Sequence, residues 1–266
     1  MNAERDTGEP LSVFITTYNN GGTLARCLDS VAWASDIVVL DSFSKDDTLD
    51  IARRYDQCRV EQATFAGYGP QKQAALELTR HRWVLLLDAD EALTARAQER
   101  IQALLHTGPQ ANGYRLPRIE QMFWRMQSES SRLNTFLRLF DKRHGRISDM
   151  PVHAAPEVEA PVEELDAPFL HFGEVDIHTK VDKINHYSTG LVEDKARRRQ
   201  GLVRTRMLLY PPFAFLRSYL FKRQFVNGWA GFIASVVTAF YAFLKYAKLY
   251  EQRQDGDRGE DQSELP

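Results

Sequence analysis

Asp88 and Asp90 stand one residue apart in the stretch RWVLLLDADE, Arg82 to Glu91, with only Ala89 between them. Two carboxylates at this spacing can share one cation. They make a hard-metal site when a phosphate-bearing ligand supplies the remaining oxygens. The competing reading is an acidic turn that caps a helix starting near Thr94. The context favours the first. The five residues Trp83 to Leu87 are apolar or aromatic, as in a parallel strand covered on both faces, and ligands bind beyond the carboxyl ends of such strands. Other strand ends share this chemistry: Asn19 closes LSVFITTYN and Asp41 closes DIVVLD. Acids there repel bare phosphate, so phosphate binding requires a bridging cation. The GxGxxG fingerprint of a dinucleotide site is absent after the first strand, which argues against a dehydrogenase.

The elements that must position these residues can be read in chain order. Strand Leu11–Asn19 leads through the turn Asn19–Gly22 to a helix that Thr23 is placed to cap. Strand Asp36–Asp41 is followed by a helix starting near Asp46 or Asp47. A short strand Cys58–Gln62 precedes a glycine-bearing loop and a helix opened by Pro70 and carrying Gln71 and Lys72. The strand ending in Asp88 and a helix Ala95–Leu105 follow. This alternation predicts an α/β fold, an open, mostly parallel sheet with helices on both faces. From Gly113 the pattern changes. GYRLPR predicts a strand, TFLRLFDKRHGRISDMPVH a strand pair around the turn Lys142–Gly145, and Val158–Leu165 a β-ribbon. The interleaved Phe123, Trp124, Arg125, Arg132, Phe136, Arg138, Phe140 and Arg143 fit either a solvent-facing edge layer or a wall that contacts sugar and phosphate. A helix is expected over Lys180–Arg199.

A formal net charge of −2 over 266 residues gives no overall pull towards nucleic acid. The average hides an asymmetry: Lys195 to Tyr250 contains eleven Lys or Arg and no acid. The apolar, aromatic and basic run from Met207 to Tyr250 predicts two helices, one started by Pro211 and Pro212, and a break at Asn227–Gly228. Basic residues and interfacial aromatics flanking apolar helices suit an anionic bilayer surface. A dimerisation hairpin is the alternative. Trp229 to Leu244 is sixteen residues long, a little short of a usual span. Cys27 and Cys58 suggest neither a disulfide framework nor metal ligation, and the first ten residues carry no apolar signal segment. The expected organisation is a disordered 1–10, a catalytic domain 11–200 (nucleotide half 11–112, acceptor half 113–200), a membrane-associated 201–250 and a disordered acidic tail 251–266.

ITTYN, VVLDSFSKDDT, GYGPQK, LLLDADE, LRLFDKRHGRISDMPVH and FLKYAKLYE, in this order, resemble the inverting family 2 glycosyltransferases of GT-A fold. The likeness is greatest to the lipopolysaccharide core β-1,4-glucosyltransferase group. It implies that Thr17, Asn19 and Asp41 cradle the uracil and ribose of a UDP-sugar, with Gln71 and Lys72 near base or phosphate. It also implies that Asp88 and Asp90 hold Mg²⁺ or Mn²⁺ against the diphosphate. Inversion needs a general base, and the resemblance points to Asp149, with His153 beside it. The resemblance makes Arg138 a candidate acceptor or phosphate contact, and His171 either such a contact, a metal contact completing the Asp88–Asp90 site, or a hydrogen-bonded structural histidine at a strand end. The chain departs from the family pattern at Met150 and Ala154, where Asp and Glu are usual, at Asn20 for Glu, and at Phe43 for Gly.

The implied function is metal-assisted transfer of a hexose, glucose by the group likeness, to a lipopolysaccharide-core or other lipid-linked glycan at the cytoplasmic face of the inner membrane. Residues 201–250 would contact the membrane. No nucleic-acid partner is expected, and a homodimer is left open. A nucleotidyltransferase would carry a basic phosphate loop after the first strand, and ITTYNNGG has no basic residue. A catalytically impaired glycan-binding scaffold is the other alternative, motivated by Met150 and Ala154.

Overall fold

The computed structural model describes residues 8–150, 154–173, 176–197 and 202–263. It divides into two compact units, Met1–Ile119 with Asn134–Gly173, and Glu120–Leu133 with Glu174–Pro266.

In the first unit, strands β1 (Leu11–Thr17), β2 (Asp36–Asp41), β3 (Cys58–Gln62) and β4 (Trp83–Asp88) alternate with helices α1 (Leu24–Asp29), α2 (Thr48–Ala52) and α3 (Tyr68–Glu77). Strand β5 (Glu91–Leu93) and helix α4 (Ala95–Thr107) follow. β1 lies between β2 and β4 and is parallel to both, and β3 extends the parallel set beyond β2. Successive side chains of a strand point to opposite faces, and both faces are covered. Val13, Ile15, Leu85 and Leu87 pack against Leu24 and Leu28 of α1 and Ile101 and Leu105 of α4. Phe14, Val38, Val84 and Leu86 pack on the other face with Ala75 and Leu76 of α3. Burial of both faces explains why these strands read as continuous apolar runs.

The sheet is mixed. β6 (Gly113–Met122) and the short β7 (Arg125–Met126) are followed by β8 (Asn134–Asp141), and the main strand order is β3-β2-β1-β4-β8-β6, then β12 (Phe169–His171) and β5. β8 is antiparallel to β4 in a ladder from Trp83–Asp141 to Leu85–Leu139. β9 (Gly145–Ile147) pairs not with β8 across the Lys142–Gly145 turn, as the sequence predicts, but with β10 (Pro156–Val158) in a separate two-stranded sheet. β8 is committed to β4 and β6 on its two edges and has no ladder left to offer. The predicted ribbon near Val158–Leu165 is likewise split: β11 (Val162–Glu164) runs parallel to β6.

The second unit is helical, with α5 (Ile177–Arg197), α6 (Val203–Leu216) and α7 (Gly228–Ser263). A π-helical turn Arg217–Phe221 and a 3₁₀ turn Gln224–Asn227 join α6 to α7. α6 and α7 are antiparallel: Arg204 donates to Tyr250 (3.0 Å), Tyr210 meets Tyr246 and Phe215 meets Phe232. Lys248 Nζ ties α7 to α5 through Asn185 and Thr189. α5 and the hairpin at 120–133 therefore belong with the C-terminal helices, not with the sheet as the sequence boundary at 200 implies. Two further expectations change. Pro211 and Pro212 lie inside α6, whose start at Val203 is fixed by packing of Val203 on Tyr246 and Leu249. The tail expected to be disordered continues α7 as far as Ser263, in a stretch rich in Glu, Gln and Arg, good helix formers. α7 contains one segment, Gln224–Gln254 together with its preceding turn, long and apolar enough to cross a membrane by length and composition.

Candidate active site

The carboxyl ends of β1, β2 and β4 lie side by side, with Thr17 opposite Asp41 and Thr16 opposite Asp88 in the ladders. Asp41 is fully buried. Its carboxylate accepts from Ser44 N–H (2.9 Å), the Ser44 hydroxyl and Gln62 Nε2 (3.0 Å). Asn19, in a left-handed conformation (φ 53°), receives Lys45 N–H on its amide oxygen and donates its own N–H to Ser44. Thr17 donates to Asn20 Oδ1. The loop after β2 is thus fastened to the loop after β1. From α3, Gln71 donates to Ser42 (3.1 Å). These residues, predicted as the nucleoside end of the site, form one continuous hydrogen-bonded edge.

At the end of β4, Asp88 is ion-paired to Lys72 Nζ at 2.6 Å and to Arg138 Nη2 at 3.5 Å. Burial alone would raise its pKa, but Lys72 and then Arg138 outweigh that and hold Asp88 well below the usual carboxylate range. Asp90 faces a different partner. Antiparallel pairing of β12 with β5 sets His171 opposite Glu91, and Phe172 N–H donates to the Asp90 carbonyl. His171 Nε2 consequently stands 3.4 Å from Asp90 Oδ2. The two metal-site aspartates of the sequence reading are therefore inequivalent: Asp88 is neutralised by cations, while Asp90 shares its side with an imidazole.

Sequence reasoning missed Glu91, which is 1 % exposed. One oxygen accepts Asp88 N–H (3.0 Å) and the other pairs with Arg138. Burial pushes its pKa up, and the charge of Asp88 adds to that rise. Arg138, expected to contact acceptor or phosphate, is itself buried beneath this turn. It sits where the β4–β8 ladder stops, so its guanidinium reaches across to Asp88 and Glu91. The available signal was a pair of opposite charges set in two apolar strands, TFLRLFD and EAL.

Asp149 is exposed, and its neighbour Ser148 is held to Ala155 by Ser148 N–H to Ala155 O (2.9 Å) and Ala155 N–H to Ser148 Oγ (3.1 Å). A Cβ on Gly69 would come within 2.6 Å of Ser148 O and 3.5 Å of the Asp149 Cα. This close approach seats Ser148 and Asp149 on the start of α3, one turn from Lys72. His153 lies outside the described residues.

Among the described residues no group of three or more His, Cys, Asp or Glu is placed to hold a metal ion alone. The donors present fit an ion shared with a diphosphate. Cis ligands of an octahedral ion at ~2.1 Å are about 3 Å apart, close to the Asp90–His171 separation of 3.4 Å.

The sequence profile described as Glycosyl transferase family 2 matches residues 12–157. The chain belongs to this family. It is 30% identical to the lipopolysaccharide core biosynthesis glycosyltransferase LpsC of Rhizobium meliloti (strain 1021), over 91% of this chain and 93% of that protein. An uncharacterized glycosyltransferase of Rickettsia typhi (strain ATCC VR-144 / Wilmington) is 29% identical over 91% and 87% of the two chains. Among solved structures, S. aureus TarS 1-349 in complex with UDP-GlcNAc matches with a TM-score of 0.47 and 15% identity over 93% of this chain and 92% of that one. The fold is of GT-A type, an α/β sheet flanked by helices, with the long C-terminal helix added.

One departure of this family 2 glycosyltransferase has a visible backbone cost. Phe43, where the family resemblance leads one to expect glycine, has φ 61° and is half exposed. A left-handed conformation costs a non-glycine residue roughly 1–2 kcal/mol. Phe43→Gly is therefore expected to raise stability by about 1 kcal/mol, less the entropy glycine loses on folding. Urea unfolding measures this directly; a lowered midpoint would show that the Phe43 ring contributes more than its backbone costs.

Proposed function

We propose that the protein transfers a hexose from a UDP-sugar, with inversion and assisted by Mg²⁺ or Mn²⁺, to a lipid-linked glycan of the lipopolysaccharide-core type. The observation that carries this reading is the convergence of Lys72, Asp88, Asp90 and His171 at the carboxyl end of the parallel strands, beside the Asn19–Asp41 edge. The glucose donor rests on the group likeness in the sequence, and the acceptor class is supported by the likeness to LpsC, a lipopolysaccharide core biosynthesis glycosyltransferase.

In this reading the Asn19, Asp41 and Gln71 edge holds the nucleoside, as Thr17 fixes the loop behind it. Asp90 and His171 would hold the ion, which neutralises charge that develops on the diphosphate as the sugar–phosphate bond breaks. Lys72, already drawn in by Asp88, supplies a fixed positive charge on the same side. Asp88 acts through Lys72 and Arg138 in place of the direct ligation implied by the motif. Asp149 takes the proton of the acceptor hydroxyl as its oxygen forms the new bond to C1 and the UDP oxygen departs with the old one. His153 keeps its assignment beside Asp149 from the sequence. Residues 201–250 would hold the enzyme on the cytoplasmic face of the membrane, peripherally or monotopically.

The test is UDP release by the detergent-solubilised protein across a panel of nucleotide sugars, with a lipopolysaccharide extract as acceptor and with or without EDTA. Transfer from one UDP-hexose is expected, abolished by EDTA, and reduced by about 10²-fold or more in Asp149→Asn, the range for loss of a positioned base. Retained turnover in Asp149→Asn would remove the base assignment. UDP binding without transfer from any donor would favour the impaired, glycan-binding alternative that Met150 and Ala154 motivate.

A further inference from the structure

A group of cations in the second unit lies outside the residues to which the proposed transfer assigns a role. β6 and β7 form a hairpin whose turn is Phe123–Trp124. Phe123, at φ 56°, turns inward and packs with Met122 on Ala230, Ile233 and Ala234 of α7, while Trp124 remains exposed. The loop after β7 is fastened to the irregular turn between α6 and α7. Ser128 N–H donates to Asn227 Oδ1 (2.7 Å), Arg125 to Asn227 O (3.3 Å), and Arg132 N–H to Lys222 O (3.0 Å). Within that turn Lys222 N–H donates to Arg217 O. These bonds hold Arg132, Arg217 and Lys222 together.

Their proximity has an electrostatic cost. Lys222 is half-buried, and burial first, then Arg217 and Arg132, lower its pKa from the ordinary lysine value; Glu120 is the acid that opposes them. No acid occurs from Leu202 to Tyr250. A preformed crowd of like charges is suited to an anion that joins all three. The surroundings narrow the kind of anion. Trp124, Leu220, Phe221, Phe225 and Trp229 are all exposed, Phe221 and Trp229 by more than 70 %. An apolar, aromatic rim around cations does not match a nucleic acid or an acidic peptide, which would leave it wet. A lipid phosphate matches both parts, with its headgroup among the cations and its acyl region against the rim.

We propose that Arg132, Arg217 and Lys222 form a binding site for the phosphate of an anionic membrane lipid, with the Trp124, Phe221 and Trp229 rim inserted beside it. This rests on the membrane-associated part of the proposed function and gives it a defined site. The experiment uses the full chain with vesicles of phosphatidylcholine, with and without phosphatidic acid, measured by co-sedimentation. The variant Arg132→Gln/Arg217→Gln/Lys222→Gln is compared with Arg204→Gln/Arg206→Gln/Lys245→Gln, which removes the same charge from elsewhere in the second unit. UDP binding is measured on each preparation. Binding to phosphatidic acid vesicles is expected to weaken at least tenfold in the first variant and less than threefold in the second, with UDP binding unchanged in both. Equal losses would overturn the site in favour of diffuse attraction by the whole basic region, and an unaffected first variant would overturn it outright. Wild-type protein that ignores both vesicles would end the site and the membrane attachment together. UDP binding in that preparation would then show separately whether the transferase reading stands.

Discussion

Asp90→Asn is expected to lower transfer by about 10³-fold while leaving metal-free UDP binding nearly unchanged. The reason is the inequivalence of the two aspartates. Asp88 is already matched by Lys72 and Arg138, whereas Asp90 Oδ2 stands 3.4 Å from His171 Nε2, the pair proposed above to hold the ion. Loss of a preorganised charge at a developing oxyanion costs 10²–10³ in turnover for a single hydrogen-bond donor, and an ion that is no longer anchored should cost at least as much. The check is UDP release titrated with Mn²⁺, which should show a loss of turnover together with a weaker metal requirement. A variant that keeps more than a tenth of wild-type turnover at the same Mn²⁺ concentration would remove Asp90 from the ion site. Asp88→Asn is a less clean experiment, because it leaves Lys72 without its carboxylate and Arg138 with Glu91 alone.

Arg138→Met is expected to destabilise the fold by about 3–5 kcal/mol, the cost of leaving a buried partner uncompensated. Arg138 is 5 % exposed, and its guanidinium lies between Glu91 and Asp88. Replacing Glu91 as well, in Arg138→Met/Glu91→Met, removes both buried charges and should recover most of the lost stability. It should not recover transfer, because Glu91 also accepts Asp88 N–H and so sets the backbone of the DADE turn. Urea unfolding of the two variants, beside UDP release, separates these roles. A single variant that loses less than about 1 kcal/mol would mean that Arg138 does not hold the turn; a double variant with full turnover would mean that the turn does not need holding.

The contrast between Asp90 and Arg138 also shows what a sequence can disclose. β1, β2 and β4 were legible because both sheet faces are covered, which turns their strands into unbroken apolar runs with polar ends. Those same ends display Asn19, Asp41, Asp88 and Asp90, so the edge of the site could be drawn from local pattern. The Glu91–Arg138 pair could not. Its members lie on strands 47 residues apart, and an arginine inside LRLF carries no local mark of pointing inward. β9 and β10 were misread for a related reason. The turn Lys142–Gly145 looks like a hairpin, but β8 is occupied by β4 and β6, a fact of topology. Pro211 and Pro212 look locally like a helix start, while the packing of Val203 on Leu249, remote in sequence, begins α6 eight residues earlier than Pro211.

The pairing of β12 with β5 also decides when the site comes into existence. Asp90 is in place once the first four parallel elements can associate, but its neighbour His171 arrives from the far end of the same unit. A chain emerging from the ribosome, N-terminus first, folds by domains as their last segments appear. β1, β2, Asp90 and His171 share one unit, so the Asp90–His171 pair waits for residue 171. About eighty residues of synthesis, several seconds at ordinary translation rates, separate the two partners of this pair.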